Sequence, residues 1–362
     1  MTQSTWTDYS EAASRRAHTL GNRGPVRLDS ECKLVPEIKD AYYRTGFYVF
    51  TGVLDTEEID ELTDEFDEML DNAPTTVNGD TDSHGRSSSY YGYYTMMEDE
   101  EDADAPAHMY LLTHPFIFME STLRAYGHPK ILAIAESLYG QDFVPFHEAI
   151  FYKAPENGLP TRWHQDGRTH WTEDGRALEQ PDGSGKCHGY NMSVALSHCT
   201  AENCLWVVPG SQRRWLLAHG GEFPPITERL DDAVPMLLEP GDCGIVSRSA
   251  LHGSYPNRSA NRRVTLLLGF HKRDSAIGAS TTNVHAFKIP GVDKKKITYS
   301  EEYVLRRARM IPLAIDARRQ YRPREKPFKY RGSFLGNATW NEVTRAEIRR
   351  DGEEYWQQDI TL

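Results

Sequence analysis

The spacing of apolar residues divides the chain into a helical first part and a strand-rich second part. Residues 1–35 show no clear period and predict an irregular arm. Beyond them, Ile59, Leu62 and Phe66 keep the three- and four-residue spacing of an amphipathic helix. Residues 55–58 supply the N-cap and the early acidic residues of this helix. The same reasoning predicts helices at 35–43 and 130–139 and a strand at 46–50.

The region 143–275 reads as short strands separated by turns that contain glycine, proline and asparagine. Such strands with turns between them are typical of an antiparallel sandwich or barrel. The predicted strands are 146–152, 192–196, 205–208, 242–246 and 264–270. After Pro290 the pattern becomes helical again at 301–310 and 340–350. The sequence therefore predicts an α+β chain in which helices flank a β-barrel.

The segment 72–106 is polar and longer than an ordinary connection inside a compact domain. It holds a tyrosine-rich run, Tyr90, Tyr91, Tyr93 and Tyr94, followed by acidic residues. Loops of this length are usually functional or disordered. Two interpretations stay open at this point: a lid that closes over a substrate, and a flexible excursion.

Composition narrows the class of protein. The chain has 362 residues and a formal net charge of −12, which argues against a nucleic-acid binder. Neither a membrane span nor a secretory signal is recognisable, and five cysteines without CxxC spacing fit reduced thiols. We therefore expect a cytoplasmic protein that acts on a small molecule, with no nucleic-acid or membrane partner. A homodimer is compatible with the sequence, which does not determine the oligomeric state.

A small set of residues could bind a metal. In extended backbone His164 and Asp166 project from one face, which suits a divalent cation. His252 is the best third ligand, and two imidazoles with one carboxylate leave room for the co-substrate and O₂ that non-haem Fe(II) needs. A hairpin predicted across the turn at 256–259 would bring Arg263 close to His252. An arginine there could hold a carboxylate of 2-oxoglutarate.

These residues resemble the phytanoyl-CoA dioxygenase-like branch of the Fe(II)/2-oxoglutarate oxygenases. His252 follows Asp166 by 86 residues and Arg263 follows His252 by 11. Residues 153–155, 203–211 and 251–259 are similar to the family's flanking segments, and the likeness covers roughly residues 38–275. Cys204 stands where a glycine is usual, and Gln212 stands where a histidine is usual.

The resemblance implies a fold, a cofactor set and residue roles. The fold would be a double-stranded β-helix, a cupin-like jelly roll. His164, Asp166 and His252 would bind Fe(II), Arg263 would bind 2-oxoglutarate, and Ser254 and Lys153 would be further contacts. Halogenating relatives lack the carboxylate that Asp166 supplies, so the resemblance implies a hydroxylase. The implied domains are an arm at 1–35, an oxygenase domain at 36–284 with its barrel core at 143–275, and an extension at 285–362 packed on the barrel.

The identity of the substrate is left open. The acidic composition favours a small polar metabolite or a natural-product intermediate over an acyl-CoA. Trp163, Arg168, His170 and Trp171 flank the metal motif, and either substrate contact or packing at the barrel rim would explain them. The same centre could desaturate, epoxidise or cyclise its substrate. Two alternatives from other classes are a cupin-like protein that binds a metal or ligand without turnover and a zinc hydrolase.

Overall fold

The computed structural model describes residues 5–77, 79–88, 93–98, 107–156, 158–168, 170–216, 229–282, 296–334, 336 and 338–354. Its helices are α1 Trp6–Thr19, α2 Pro36–Thr45, α3 Thr56–Asp71, α4 Glu120–Tyr126, α5 Pro129–Tyr139, α6 Arg273–Ala276, α7 Glu301–Ala308, α8 Met310–Tyr321 and α9 Glu342–Glu354. No described helix combines the length and the apolar character that a membrane crossing needs.

The strands are short, apart from two in the middle of the chain. They are β1 Arg23–Pro25, β2 Phe47–Thr51, β3 Tyr94–Met97, β4 His108–Thr113, β5 Phe143–Lys153, β6 Thr161–His164, β7 His170–Trp171, β8 Gly189–Ala195, β9 Trp206–Val207, β10 Val234–Pro235, β11 Cys243–Ser247, β12 His252–Ser254, β13 Arg263–Lys272, β14 Ser280–Thr282 and β15 Lys296–Thr298. All five strands predicted within 143–275 are confirmed, with ends that differ by a few residues.

The larger sheet has eight strands in the order β1-β2-β11-β8-β13-β5-β4-β3. Its neighbours pair antiparallel except for β1 and β2. Alternation along β13 sends Val264 and Leu266 to one face, where they join a large apolar core. Arg263 and Thr265 lie on the opposite face, which carries polar and charged residues.

The smaller sheet has four strands in the order β10-β9-β12-β6, and β7, β14 and β15 form a third sheet. The hairpin predicted between His252 and Arg263 is wrong. His252 belongs to β12, which pairs with β6 and β9, whereas Arg263 begins β13 in the larger sheet. The turn between them therefore carries the chain from one sheet to the other.

Helices cover the apolar face of the larger sheet. The core there includes Phe66 of α3, Ile134 of α5 and Leu313 of α8 together with the outward residues of β13. Arg307 of α7 donates from Nη2 to Glu148 Oε2 on β5 at 3.1 Å, and both side chains are buried. The helices that follow the strand-rich region thus pack on the same core as the early helices.

The first residues are not the irregular arm that the sequence predicts, because residues 6–19 form α1. Thr5 caps this helix with its side chain, and Asp8 completes a reciprocal capping box. Tyr9 stacks on Trp206 of the smaller sheet with ring centroids 5.1 Å apart, and it lies in an apolar cluster with Val234. The helix thereby covers the smaller sheet.

The segment 72–106 is only partly described, and Tyr90 and Tyr91 lie outside the described residues. Tyr93 and Tyr94 are buried in the large core, and the Tyr94 hydroxyl donates to the Met69 carbonyl at 2.8 Å. These two rings therefore serve as core residues in this structure.

The structure is a mixed α and β fold, and in the described residues no ring of hydrogen bonds closes the sheets into a barrel.

Candidate metal centre

His164, Asp166 and His252 lie close together at the paired ends of two strands of the smaller sheet. His164 ends β6 and His252 begins β12, and the two residues are direct partners across this antiparallel pair. Asp166 opens the short 3₁₀ turn that follows β6. Asp166 Oδ1 lies 3.2 Å from His164 Nε2, and Oδ2 lies 3.5 Å from His252 Nε2. The strand register and the turn after β6 are therefore what bring the three side chains together.

Backbone carbonyls hold both imidazoles in the orientation that a metal needs. His164 Nδ1 lies 2.7 Å from the Arg162 carbonyl oxygen, and His252 Nδ1 lies 2.9 Å from the Ala250 carbonyl oxygen. A carbonyl only accepts, so the proton of each neutral ring resides on Nδ1. In that tautomer Nε2 is the ring atom that would bind a metal.

The electrostatics of the three residues are strongly coupled. Burial and the nearby His164 ring lower the pKa of His252 to about 4, although the Asp166 charge acts in the opposite direction. Burial opposes ionisation of Asp166, but the two histidines and Arg248 outweigh it and hold its pKa below the usual range. The pKa of His164 is raised because the Asp166 charge and hydrogen bond outweigh burial. Asp166 is therefore a carboxylate and His252 a neutral imidazole at neutral pH.

Asn191 is a neighbour of the candidate metal centre that sequence reasoning missed. Its Nδ2 donates to Asp166 Oδ2 at 2.7 Å from strand β8. Arg248 donates from Nη1 to Asn191 Oδ1 at 3.3 Å. These residues lie 25 and 82 positions after Asp166, so no local motif in the sequence could have linked them to it.

Lys153 and Arg263 form a buried pair of cations on the polar face of the larger sheet. They are direct partners across β5 and β13, and they are only 3% and 5% exposed. Lys153 Nζ donates to the Tyr255 carbonyl at 2.6 Å, and Arg263 donates from Nη1 to the Asn203 carbonyl at 3.2 Å. Among the described residues, no carboxylate lies within ion-pair distance of either one. Burial and the Arg263 charge lower the pKa of Lys153 well below its ordinary value.

Three hydroxyl groups connect this region with the candidate metal centre. Ser254 Oγ donates to Thr161 Oγ1 at 3.1 Å, and the Tyr110 hydroxyl lies 2.5 Å from the same Thr161 atom. Burial raises the pKa of Tyr110, while Thr161 and the Arg263 charge lower it and the Asp166 charge raises it. Tyr110 therefore lies within electrostatic reach of both Arg263 and Asp166. Thr161 and Tyr110 were not singled out from the sequence.

The four residues suggested for substrate contact have different surroundings. Trp163 is fully buried in the apolar cluster of the smaller sheet, edge-on to Tyr255. His170 is also buried, and its Nε2 lies 2.9 Å from the Tyr299 hydroxyl. Trp171 is half-buried on β7, and the side chain of Arg168 lies outside the described residues. The structure thus gives Trp163 and His170 partners within the protein, and the substrate-contact role stays a prediction.

The donor set fits a divalent metal such as Fe(II). One atom from each of His164, Asp166 and His252 lies within 4.8 Å of the other two. Ligands at bond lengths of about 2.1 Å span about 3 to 4.2 Å across one metal, and the Asp166 oxygens lie 3.2 and 3.5 Å from the two Nε2 atoms. Two neutral imidazoles and a carboxylate are the ligands of the non-haem Fe(II) oxygenases.

Similar sequences are dioxygenases. The chain is 28% identical to the dioxygenase cdmD of Talaromyces verruculosus over 149 residues, which are 40% of this chain and 45% of that protein. It is 32% identical to the dioxygenase andF of Emericella variicolor over 150 residues, which are 40% of this chain and 48% of that protein. The chain thus matches less than half the length of these curated relatives.

Similar structures support the fold. An apo non-haem monooxygenase, ThoJ, aligns with a TM-score of 0.53 at 15% identity over 88% of this chain and 95% of its own. EctD from S. alaskensis, solved with 2-oxoglutarate and 5-hydroxyectoine, aligns with a TM-score of 0.51 at 19% identity over 70% of this chain and 82% of its own.

A family model described as phytanoyl-CoA dioxygenase (PhyH) matches residues 42–265, which is more than half of the chain. This range includes His164, Asp166, His252 and Arg263 and agrees with the resemblance drawn from their motifs. The cofactors of these oxygenases are Fe(II), 2-oxoglutarate and O₂. The chain therefore belongs to the phytanoyl-CoA dioxygenase family of Fe(II)/2-oxoglutarate-dependent oxygenases.

Proposed function

We propose that this protein hydroxylates an unactivated C–H bond of a small polar metabolite or natural-product intermediate and releases succinate and CO₂. Its catalytic domain would be residues 36–284, with the two larger sheets as the halves of a double-stranded β-helix and 285–362 as an extension packed on it. The observation that carries the proposal is the His164, Asp166 and His252 cluster, whose Nε2 and carboxylate atoms converge. The dioxygenase relatives are consistent with this chemistry.

Fe(II) with 2-oxoglutarate supplies oxidative decarboxylation and the oxidation of a C–H bond. Each of His164 and His252 would offer Nε2 to the metal, because its Nδ1 proton is held by a backbone carbonyl. Asp166 would supply the anionic ligand. Its carboxylate occupies the position that halogenating enzymes of this family leave open, and this favours hydroxylation.

Lys153 and Arg263 would bind the distal carboxylate of 2-oxoglutarate. Two buried cations without a carboxylate partner among the described residues are costly, and an anionic ligand would lower that cost. The Ser254 hydroxyl, linked to Thr161, would contribute a further hydrogen bond to the co-substrate. The planar guanidinium of Arg263 suits two-point binding of a carboxylate.

The polar face of the larger sheet would receive the substrate. Ser193 and Asn191 of β8 are partners of Leu267 and Gly269 on β13, so they share a face with Arg263. Ser193 supplies a hydroxyl to this face, which supports a polar substrate. EctD, which has this fold, was solved with the hydroxylated small polar molecule 5-hydroxyectoine. Desaturation, epoxidation and cyclisation would use the same residues and differ in the product.

The test is an anaerobic titration of the metal-free protein with Fe(II) and 2-oxoglutarate. A chelated 2-oxo acid gives a weak visible charge-transfer band. We expect this band in the wild type and a weakened or absent band in Asp166→Ala. Arg262→Met is the matched control, because Arg262 pairs with Asp67 at the surface and should keep the band.

Results that contradict the proposed hydroxylase would each indicate a different function. A wild-type protein that binds no iron and shows no band at saturating ligand would favour the cupin-like binding protein. Zinc binding with hydrolytic turnover would favour the hydrolase. If the band appears, succinate release in a substrate screen, followed by a product that has gained one oxygen atom as a hydroxyl group and has kept every C=C bond, would identify hydroxylation, whereas the same mass gain with loss of a C=C bond would identify epoxidation. A mass decrease of two hydrogen atoms would identify desaturation or cyclisation instead.

A further inference from the structure

The side-chain amide of Asn191 lies between a hydrogen-bond acceptor and a hydrogen-bond donor, and these two groups fix its orientation. Asp166 Oδ2 can only accept a hydrogen bond, and Arg248 Nη1 can only donate one. The Asn191 Nδ2 atom must therefore face the carboxylate, and its Oδ1 atom must face the guanidinium. No other orientation of this amide satisfies both neighbours.

Arg248 is itself fixed by buried groups. It is 4% exposed, and its Nε lies 4.0 Å from Glu179 Oε1. Arg248 Nη2 also donates to the backbone carbonyl of Asp166 at 3.5 Å. Glu179 is held in turn by His271 Nε2 at 2.6 Å and by the His188 amide at 3.0 Å. The guanidinium therefore contacts Asp166 directly through its backbone and indirectly through Asn191.

Two glycines provide the space for this arrangement. A side chain at Gly167, directly after Asp166, would overlap the Glu179 side chain. A Cβ atom at Gly189 would lie 2.5 Å from His271 Cδ2 and 2.9 Å from Glu179 Oε1. Glu179 comes from the connection between β7 and β8. Its side chain packs beneath the turn that carries Asp166.

We propose that Asn191, held by Arg248 and Glu179, is a positioning residue that makes Asp166 a one-oxygen metal ligand. Its hydrogen bond occupies Oδ2 and leaves Oδ1 for the metal. A carboxylate that binds through one oxygen leaves a coordination position for the co-substrate, whereas two-point chelation would fill it. The proposal rests on the metal-ligand role of Asp166 proposed above.

The test uses Mn(II) and Co(II) on the metal-free full-length protein, so that it does not depend on turnover. Asn191→Leu keeps the approximate side-chain volume and removes the donor. We expect its Kd for Mn(II), measured from the EPR signal of the free ion, to rise about 10- to 100-fold. We also expect weaker d–d absorption of bound Co(II), because a carboxylate that binds through both oxygens raises the coordination number.

The control is Met192→Leu, the next residue on β8, which faces the apolar core instead. It should leave both metal readouts unchanged. If Asn191→Leu does not fold, Asn191→Ser replaces it, because the serine hydroxyl is too short to reach Asp166. Unchanged Mn(II) affinity and an unchanged Co(II) spectrum in a folded Asn191 variant would overturn the proposal. Wild-type protein that binds neither metal would instead overturn the metal-site function itself.

Discussion

Lys153 and Arg263 lie directly opposite each other on β5 and β13, and both are buried. Their hydrogen bonds go to the neutral Tyr255 and Asn203 carbonyls and to the Thr265 hydroxyl, not to a carboxylate. Two like charges brought out of water in this way oppose folding. A dicarboxylate bound between them would reverse the sign of that contribution, so ligand affinity and protein stability should be linked at this pair.

Arg263→Met should weaken binding of 2-oxoglutarate by about 30-fold or more, the loss expected when one partner of a buried charge pair is removed. The melting temperature of the ligand-free protein should stay the same or rise, because one buried charge is gone. Calorimetric titration and thermal unfolding measure the two effects. Arg262→Met, which breaks a surface pair with Asp67, should change neither; equal losses of affinity in both variants would contradict the assignment.

Binding of 2-oxoglutarate should be accompanied by proton uptake at Lys153. Its pKa is lowered in the free protein by burial and Arg263, and a bound carboxylate should raise it. Titrations at pH 8 to 9 in two buffers of different ionisation enthalpy measure the protons taken up. Lys153→Met should remove this uptake, and a wild-type value of zero throughout that range would count against a carboxylate at Lys153.

His128 should make the protein less stable as the pH falls. Burial, Arg318 and Lys130 lower its pKa from 6.5 to about 2, so below pH 6.5 only the unfolded state takes up the proton. The free energy of unfolding should then fall with a slope approaching about 1.4 kcal/mol per pH unit from this group. His128 also caps α5 by accepting from the Lys130 amide at 3.1 Å.

His128→Asn keeps a capping side chain and removes the titrating group. Urea unfolding of the two proteins at pH 7.5, 6 and 5 gives the difference in stability. Relative to the wild type, the variant should gain stability as the pH falls. Parallel pH profiles would show that His128 is protonated equally in both states.

Tyr9 should be an important stabilising contact of α1. Its ring stacks on Trp206, and its hydroxyl donates to the Leu230 carbonyl at 2.9 Å. Tyr9→Ala should cost about 3 kcal/mol in unfolding free energy, whereas Tyr9→Phe should cost about 1 kcal/mol. Chemical denaturation measures both. A loss below 0.5 kcal/mol for alanine would show that α1 contributes little to the fold.

Gly127→Ala should destabilise the contact between α4 and α8. A Cβ atom at this position would overlap the backbone carbonyl of Ala314, which cannot move as a flexible side chain could. Overpacking of this kind typically costs about 1–3 kcal/mol. A melting temperature equal to that of the wild type would mean that the two helices separate without cost.

The sequence was most informative where a function needs residues close together along one strand or turn. His164 and Asp166 are two positions apart, and the alternation of an extended chain predicts their common direction. Arg263 follows His252 by 11 residues, and this distance matched the spacing in the family. The hairpin predicted between these two residues did not form. Asn191, Arg248 and Glu179 carry no such signal, because the packing of separate strands and one loop creates their contacts.

The sequence-based prediction missed the first helix for a different reason. A reciprocal capping box at Thr5 and Asp8 precedes Tyr9 and Ala13 at helical spacing, so the signal for α1 was present in the sequence but short. Tyr93 and Tyr94 show the opposite case, in which the sequence pattern drew attention to residues that belong to the core. For this run of tyrosines in a polar segment the sequence left open a lid and a flexible excursion, and tertiary packing places these two rings in the core.

The two histidines belong to the four-stranded sheet, whereas Asp166 is hydrogen-bonded to Asn191 of the eight-stranded sheet. In the part of the chain that the structure describes, no backbone ladder joins these layers. A metal held by all three ligands would fix Asp166 in place and would thereby strengthen its hydrogen bond to Asn191 of the other sheet. Metal binding should then stabilise the contact between the two sheets, so resistance to proteolysis should rise with metal occupancy.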